Sequence, residues 1–336
     1  MPAKSVNICL IGHKFMGRAH SNAFLKVGRF FDVPLEPVMH TIVGRNRPEL
    51  EAFAKRWGWA RASTDWQSSV RDPAIDLVDV GTPNDMHRDM CIAALEAGKH
   101  VACEKPLAHN IDHARQMRDA ARKARNCRTF VWYSYRRVPA VALAHQLARE
   151  GKLGRIYHVR AYYLQDWAGP SVPLIWRFDK KVAGSGSHGD LGAHIIDMCR
   201  FITGEEIAEV SGCITETFVK ERLHQVTGKV QPVGIDDACM FLAIFQNGSM
   251  GTFESTRYAR GRKNFNTFEL NGAAGSVYFD LEEPQILQYF KYADPKTGAK
   301  IESHLTGWQK IHVTNFEHPY MKNWWVPGCT IGYEHT

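Results

Sequence analysis

The chain has 336 residues, and 42 Lys and Arg against 35 Asp and Glu give it a formal charge of +7. At about 100–200 residues per domain this length favours two domains, and 44% hydrophobic with 23% charged residues is an ordinary globular composition. That composition excludes a disordered or fibrous chain. The densest basic cluster, residues 118–128, has the spacing of a solvated helix face, so we expect no nucleic-acid partner.

The eight cysteines are spread singly, with no C-x-x-C pair and no tight group of Cys and His. This distribution is typical of neither a disulfide scaffold nor a zinc site, so we expect no metal. The N-terminus leads directly into a strand-like run without the apolar core of a signal peptide, and no apolar stretch reaches 18 residues. The sequence thus predicts no membrane partner and a cytoplasmic location.

The first third of the chain alternates short β-branched runs with helical patterns, which indicates a parallel, doubly wound sheet. Residues 6–11 are nearly all apolar, as in a strand that is buried on both faces. An apolar stripe at helical spacing follows, formed by Met16, Ala19, Ala23, Phe24 and Val27. Further strands are predicted at 37–43, 75–80, 100–103 and 129–132, and further helices at 48–57, 86–97 and 111–125.

The pattern changes at residues 133–139. After one more predicted helix, 141–149, long alternating segments dominate, and an Asn-Gly at 247–248 between two of them is typical of a hairpin turn. A further helix is predicted at 191–202. We therefore predict an α/β domain over residues 1–134 and an α+β domain with a mostly antiparallel, open sheet over residues 135–336.

A glycine-containing turn, residues 12–17, separates the first strand from its helix, where a Rossmann domain carries G-x-G-x-x-G. The first glycine can supply the tight turn, and the last can let helix and strand approach closely. Lysine replaces the middle glycine and adds both bulk and a cation beside the expected pyrophosphate. Two glycines in a loop are more often plain turn residues, but the flanking strand and helix favour a dinucleotide site. The residues assigned to it are Gly12, Lys14, Phe15, Met16 and Gly17.

The second predicted strand ends at Gly44-Arg45-Asn46, where a domain that prefers NAD usually carries an acidic residue. Arg45 could pair with the 2′-phosphate of NADP, because a guanidinium fork matches phosphate geometry. A solvated surface arginine is equally compatible with the sequence. Both NAD and NADP therefore stay open as cofactors.

Polar residues also follow the next two strands of the predicted parallel sheet. In such sheets ligands bind at the carboxyl ends of the strands, so we assign these residues to the cofactor site. Lys105 can also hydrogen-bond a substrate hydroxyl and stabilise a developing alkoxide, although a plain loop lysine is the alternative. Asn84 also fits a helix N-cap. The assigned residues are Thr82, Asn84, His87, Glu104 and Lys105.

The segment 189–197 places Asp190, His194 and Asp197 at i, i+4 and i+7, on one side of the predicted helix. A carboxylate one turn from a histidine can orient the imidazole and raise its basicity, which a general base near neutral pH requires. The alternative is an N-cap aspartate followed by a solvent-facing histidine.

Taken in order, four motifs resemble the Gfo/Idh/MocA family of glucose–fructose oxidoreductase and inositol dehydrogenase, and most of all its sugar dehydrogenases. They are the turn at 12–17, Glu-Lys-Pro at 104–106, Trp-Arg-Phe-Asp at 176–179 and Gly-Asp-x-Gly-x-His-x-x-Asp at 189–197. The resemblance covers nearly the whole chain. It implies an NAD(P)-dependent oxidoreductase that acts on a secondary alcohol of a sugar, glycoside or polyol.

The resemblance also implies that Lys105, Asp190 and His194 form the catalytic set, with His194 as the proton acceptor and a cis Lys105–Pro106 peptide. We expect a carbohydrate to contact a mixture of aromatic and polar side chains, and Trp176 to contact the cofactor. Trp167 and Trp176 could equally be core residues. The residues assigned to the substrate are Lys105, Tyr163, Asp166, Trp167, Arg177, Asp190 and His194.

Two other functions stay open. A glycosidase could use the same residues for transient oxidation followed by elimination, and a nucleotide-binding sensor could keep the fold without turnover. The outer face of the second domain's sheet suits a homo-oligomer, either a dimer or a tetramer. The chain ends at residues 332–336, where similar proteins continue, so we expect a shortened C-terminus.

Overall fold

The computed structural model describes residues 4–302 and 307–313. The expected C-terminal shortening falls on residues outside these ranges. The described chain divides into two compact units. One comprises the residues up to Trp132 together with Lys181–Gly184, and the other comprises Tyr133–Lys180 and the described residues from Ser185 onward. Within these ranges, no helix combines the length and the apolar character needed to cross a bilayer.

A parallel six-stranded sheet forms the first unit. Its strands are β1 (Lys4–Ile11), β2 (Leu35–Val43), β3 (Arg61–Ser63), β4 (Leu77–Val80), β5 (His100–Cys103) and β6 (Thr129–Val131). Its helices are α1 (Phe15–Phe30), α2 (Arg47–Trp57), α3 (Trp66–Arg71), α4 (His87–Glu96) and α5 (Ile111–Lys123). The strand order is β3-β2-β1-β4-β5-β6, so the winding reverses between β1 and β4, where doubly wound sheets bind their ligands. The predicted doubly wound sheet is confirmed.

Strand β1 shows why apolar residues in this sheet form a nearly continuous run instead of alternating with polar residues. Successive side chains of a strand point to opposite faces, and here both faces are covered. Ile8 and Leu10 are buried in one apolar cluster, together with α2 residues. Cys9 and Ile11 are buried in a second cluster with α4 residues on the other face. Residues 8–11 therefore have no position at which a polar side chain would reach water, whereas Lys4 and Ser5 at the start of the strand are exposed.

The second unit contains an eight-stranded sheet and a separate hairpin. Its strands are β7 (Ile156–Leu164), β8 (Ile207–Glu216), β9 (Glu221–His224), β10 (Lys229–Pro232), β11 (Ala238–Phe245), β12 (Met250–Thr256), β13 (Phe265–Gly272), β14 (Gly275–Asp280), β15 (Ile286–Lys291) and β16 (Trp308–His312). The sheet order is β16-β15-β14-β13-β7-β12-β11-β8, and β9 pairs with β10. Only the β7–β12 pair is parallel within the described sheet, so the predicted, mostly antiparallel sheet is confirmed.

Helices cover one face of this sheet. They are α6 (Pro139–Arg149) and α8 (Ala193–Thr203), whereas the short α7 (Lys180–Ala183), which precedes α8 in sequence, belongs mostly to the first unit. Helix α8 packs on α6 and lies against β7 and β13. The opposite face carries exposed apolar side chains, which we call the outer patch. The outer patch comprises Ile214, Met240, Leu242, Ile244 and Met250.

Candidate active site

The turn after β1 requires glycine at two positions for different reasons. Gly12 has a φ of +117°, and a Cβ atom there would lie 2.5 Å from the Gly81 carbonyl oxygen. A Cβ atom on Gly17 would lie 2.3 Å from the Gly12 carbonyl oxygen, because the first turn of α1 packs directly on the strand end. Both distances are far below van der Waals contact. The turn is thus built around the two glycines that the sequence pattern singled out.

Lys14 occupies the N-cap position of α1, and its side chain makes no capping hydrogen bond. The first turn of α1 contains no acidic residue, whereas α2 begins with Asn46, whose side chain accepts from the Glu49 amide. The N-terminus of α1 therefore presents backbone donors and a partial positive charge suited to a phosphate. The Lys14 side chain is 76% exposed and its ammonium contacts Glu49, so it leaves the turn open.

Arg45, after β2, is exposed. The nearest acidic side chain described in this region, Glu49, contacts the Lys14 ammonium and lies 3.3 Å from the His13 ring. These contacts lower the pKa of Glu49, so its charge is matched within the protein. The charges at the end of β2 therefore do not distinguish NAD from NADP, and both alternatives for Arg45 stay open.

A buried histidine, His87, lies between the loop that follows β4 and the loop that contains Lys105. The two ring nitrogens of His87 lie 3.0 Å from the Thr82 carbonyl oxygen and 3.1 Å from the Pro106 carbonyl oxygen. Burial lowers the pKa of His87, which favours the neutral ring. The Lys105–Pro106 peptide is cis, as the resemblance implied. His87 thus lies between the two loops that follow β4 and β5, and its neutral ring donates to a carbonyl oxygen of one of them.

Asn84 does not cap a helix. Its side-chain amide donates to the Ala183 carbonyl oxygen at 2.9 Å, and neither the turn that it begins nor α4 has a side-chain cap. The N-cap alternative was wrong because the side chain points to a segment distant in sequence. Its assignment to the cofactor stays a prediction.

In the second unit the predicted helix starts differently from expectation. A π-helical turn, His188–Gly192, precedes α8 and carries Asp190. Asp236 accepts hydrogen bonds from the Gly186 amide at 2.6 Å and from the His188 amide at 2.7 Å, which fixes the start of this turn. The predicted helix boundary at Leu191 was therefore wrong, because a distant carboxylate supplies the cap.

The three polar residues of the predicted stripe lie in three different environments. Asp190 accepts from Arg257 Nη2 at 3.0 Å, and Arg257 is only 1% exposed. Asp197 pairs with Arg136, whose Nε donates at 2.7 Å. Arg257 was missed from the sequence because it lies 67 residues away from Asp190 and inside a strand-like run.

His194 is 3% exposed, so the alternative of a solvent-facing histidine was wrong. Its ring lies among three tyrosine rings, with centroid distances of 6.3 Å to Tyr133, 4.6 Å to Tyr135 and 5.8 Å to Tyr163. These rings meet it at steep angles rather than stacked. The imidazole is therefore held in one orientation by packing, in a partly apolar environment with phenol groups nearby.

A chain of hydrogen bonds leads away from these tyrosines. The hydroxyl groups of Tyr135 and Tyr163 lie 2.7 Å apart, and Tyr163 donates to Asn264 Oδ1 at 2.7 Å. Gln165 Nε2 donates to the same oxygen at 2.9 Å, and Gln165 Oε1 accepts from Trp167 Nε1 at 2.8 Å. Burial raises the pKa of Tyr135 to about 12, which keeps its hydroxyl protonated. Such a chain can rearrange to bind a ligand rich in hydroxyl groups.

The remaining predicted substrate residues have partners of their own. Asp166 forms a 2.8 Å ion pair with Lys263, which lowers the pKa of the Asp166 carboxyl. The Arg177 guanidinium lies 4.4 Å from the centre of the Trp176 ring. The Trp167 ring lies 5.6 Å from that of Phe178 and is half-buried, as is the Trp176 side chain. In the described residues, no group of His, Cys, Asp and Glu is arranged to hold a metal.

Comparison with known proteins identifies the family. Residues 6–133 match a family model described as an oxidoreductase family with an NAD-binding Rossmann fold. Residues 141–278 match a model described as the GFO/IDH/MocA C-terminal domain. Levoglucosan dehydrogenase from Pseudarthrobacter phenanthrenivorans is 41% identical over 349 aligned positions, which cover 99% of this chain and 86% of that protein. The chain belongs to the Gfo/Idh/MocA family. The resemblance stated from the motifs is thereby confirmed, and the protein is an oxidoreductase.

Solved structures agree with this Gfo/Idh/MocA assignment. An oxidoreductase domain protein from Kribbella flavida is 48% identical, with a TM-score of 0.90 over 99% of this chain and 86% of that chain. A levoglucosan dehydrogenase in complex with NADH and levoglucosan is 40% identical, with a TM-score of 0.90 over 98% of this chain and 86% of that chain. Both therefore share the fold of both described units.

Proposed function

We propose that the protein is a nicotinamide-dependent dehydrogenase that oxidises a secondary alcohol of a sugar, glycoside or polyol. The observation that carries the proposal is the environment of His194, a buried imidazole held by three tyrosines four residues after a carboxylate paired with Arg257. A histidine fixed in this way suits general-base catalysis on a hydroxyl group. The levoglucosan dehydrogenase relatives support a sugar as the substrate class.

The residues of the first unit fit a dinucleotide. The tight turn between Gly12 and Gly17 and the N-terminus of α1, which has no side-chain cap, suit a pyrophosphate. The relative solved with NADH supports NAD as the physiological cofactor. Arg45 is the residue through which NADP would be accepted instead.

The bound nicotinamide would supply a hydride acceptor at its C4 atom. In our mechanism His194 accepts the hydroxyl proton, and Lys105 donates a hydrogen bond to the same oxygen and stabilises its developing negative charge. Asp190, which is paired with Arg257, would support the positive charge that His194 gains. Tyr163 and the amides connected to it would hold the other hydroxyl groups of the sugar.

A cofactor and substrate panel tests this function. Each of levoglucosan, glucose, glucose 6-phosphate, myo-inositol and a β-glucoside is incubated with NAD or NADP, and reduced cofactor is followed at 340 nm. Steady cofactor reduction that requires a sugar supports the dehydrogenase. Release of the aglycone from the β-glucoside with only catalytic amounts of NAD or NADP would indicate transient oxidation followed by elimination. Cofactor binding without any turnover would indicate a sensor.

We also propose that the protein forms a homo-oligomer through the outer patch. Neighbouring strands place Ile214 opposite Met240 and Ile244 opposite Met250, so the exposed apolar side chains are contiguous. A contiguous apolar surface of this kind is typical of an interface between subunits. A second copy of the chain is the occupant that a self-complementary sheet face favours. The cytoplasmic location stays a prediction.

A further inference from the structure

A buried charged cluster in the first unit surrounds Glu104, which the sequence assigned to the cofactor site, with two residues that have no role in the function proposed so far, His20 and Asp79. His20, on α1, is 7% exposed and lies between two carboxylates. Its Nδ1 is 2.7 Å from Asp79 Oδ2, and its Nε2 is 3.0 Å from Glu104 Oε1. Asp79 lies on β4 and is 0% exposed, and Glu104 follows β5 and is 6% exposed. One imidazole therefore bridges the ends of two neighbouring strands.

This geometry favours the doubly protonated ring. A neutral imidazole has one N–H and could donate to only one of the carboxylates, leaving the other facing a lone pair. Buried carboxylates also require a nearby positive charge. Burial alone lowers the pKa of His20, but the two carboxylates outweigh it and raise that pKa to about 10.

The remaining side chains that interact with these two carboxylates are uncharged. The Trp132 indole, after β6, donates to Asp79 Oδ1 at 2.8 Å, and its ring meets His20 edge-on at 5.4 Å. Burial and Asp79 raise the pKa of the Cys9 thiol, on β1, to about 12, so that this thiol is neutral. Cys103, on β5, has a raised pKa for the same main reason, burial.

Glu104 connects this cluster to Lys105. Glu104 uses Oε1 toward His20, while its Oε2 accepts from the Lys105 backbone amide at 3.1 Å. The carboxylate thus lies between the imidazole and the backbone of the residue to which we assign substrate polarisation. A rotation of the Glu104 side chain would remove the hydrogen bond that orients this amide.

We propose that His20 is a positioning residue, a buried imidazolium that holds Glu104 so that its carboxylate fixes the backbone of Lys105. This inference rests on the proposed function, in which Lys105 acts on the substrate. It predicts an effect on turnover larger than the effect on cofactor binding, because a small misplacement of a reacting group can lower the rate by about 100-fold.

The charge state is tested without turnover. Protein labelled with ¹⁵N-histidine is titrated from pH 6 to pH 10.5, with the His20→Gln variant used to assign the signals. We expect the His20 ring to keep both N–H groups up to about pH 9, and Glu104→Gln to shift its titration to lower pH. A His20 ring that titrates near pH 6.5 in the wild-type protein would overturn the inference.

The link to Lys105 is tested by kinetics with matched variants. We expect Glu104→Gln and His20→Gln to lower kcat about tenfold or more, with the Kd for NADH, measured by fluorescence, changed less than about threefold. Trp59→Phe, which removes the buried indole donor to Ser21 in the same unit, controls for general destabilisation and should retain kcat. Asp79→Asn touches His20 but not Lys105, and it should lower kcat less than Glu104→Gln does.

If His20→Gln fails to fold, Glu104→Gln still tests the inference, because this variant leaves the buried His20–Asp79 pair intact. Equal losses of kcat in Glu104→Gln and Asp79→Asn would overturn the positioning role and indicate a purely structural cluster. Wild-type protein that oxidises no sugar would overturn the proposed function and with it the effect on Lys105. The titration would still decide the charge of His20 in that case.

Discussion

Arg257 and Asp190 form an ion pair of 3.0 Å in which the guanidinium is almost completely buried. Arg257 also donates to the Arg177 carbonyl oxygen at 3.2 Å, and its guanidinium lies 5.2 Å from the centre of the Trp167 ring. One buried cation thus connects the loop that contains two predicted substrate residues with the turn that precedes His194. The pair therefore gives Asp190 a structural role, in addition to the catalytic role that we propose for it.

Asp190→Ala should therefore destabilise the protein by about 3 kcal/mol, because it leaves a buried guanidinium without its carboxylate. The double variant Asp190→Ala/Arg257→Met should regain much of that stability, since it removes both charges, but it should stay as inactive as the single variant. Urea unfolding and steady-state rates measure the two effects. A double variant no more stable than Asp190→Ala alone would show that the pair contributes little.

His194→Ala should lower the rate of sugar oxidation by about 10²–10⁴-fold, because general-base catalysis contributes this much. The Kd for NADH should change little, since His194 lies outside the Rossmann domain. His145→Ala is the matched control, as His145 also lies in the second unit and stacks on an aromatic ring, that of Phe201. We expect it to retain activity within about threefold, well short of the loss of a general base. A similar result for His194→Ala would remove it from the catalytic set.

The sequence predicted well those strands whose hydrophobic pattern is set by whether one face or both faces of the sheet are covered. Strands β1 and β5 are apolar because both faces of the parallel sheet are covered, and β11 alternates because its sheet has one helix-covered face. Strand β3 and helix α3 were missed because three and six residues are too short to show a period. Periodicity predicted α1 correctly, with Phe24 of its half-buried apolar stripe packed on the core, but it did not show that Gly17, His20 and Ser21 are the most buried positions.

The candidate site was only partly predictable for a different reason. Motif residues such as Gly12 and Lys105 are adjacent to strand ends and can be found by position in the chain. Other contacts around the site join residues that are distant in sequence. Asp79 and Glu104 meet His20 from 59 and 84 residues away, and no spacing rule connects such residues.

Arg45→Asp should weaken NADP binding far more than NAD binding, because it removes a guanidinium and places a negative charge where a 2′-phosphate would lie. The Kd values for NADPH and NADH, measured by fluorescence at the same ionic strength, give the comparison. Arg47→Asp is the matched control, since Arg47 is also exposed but already lies 3.6 Å from Glu51. Equal effects of Arg45→Asp on both cofactors would show that Arg45 is merely solvated.

Stability should depend on pH through His20. Its pKa is raised from the ordinary 6.5 to about 10, so the folded protein retains a proton that the unfolded chain loses between these values. The contribution is fully present below pH 6.5 and is lost as the pH rises through 10. The free energy of unfolding should fall by about 1.4 kcal/mol per pH unit in this window. Urea titrations of wild type and Glu104→Gln check it, and the variant should show the smaller slope.

Leu242→Glu should dissociate the proposed oligomer, because it places a charge in the middle of the outer patch. Leu242 lies opposite Ser211 on β8 and Thr252 on β12 and is 52% exposed in the single chain. Burying one unpaired carboxylate in each copy would cost more than an interface of ordinary strength can offset. Val226→Glu, an equally apolar residue at the exposed turn between β9 and β10, is the control and should leave the mass unchanged. Light scattering coupled to size-exclusion chromatography reports the mass of each variant, and a wild-type protein that elutes as a 38.1 kDa monomer would refute the interface.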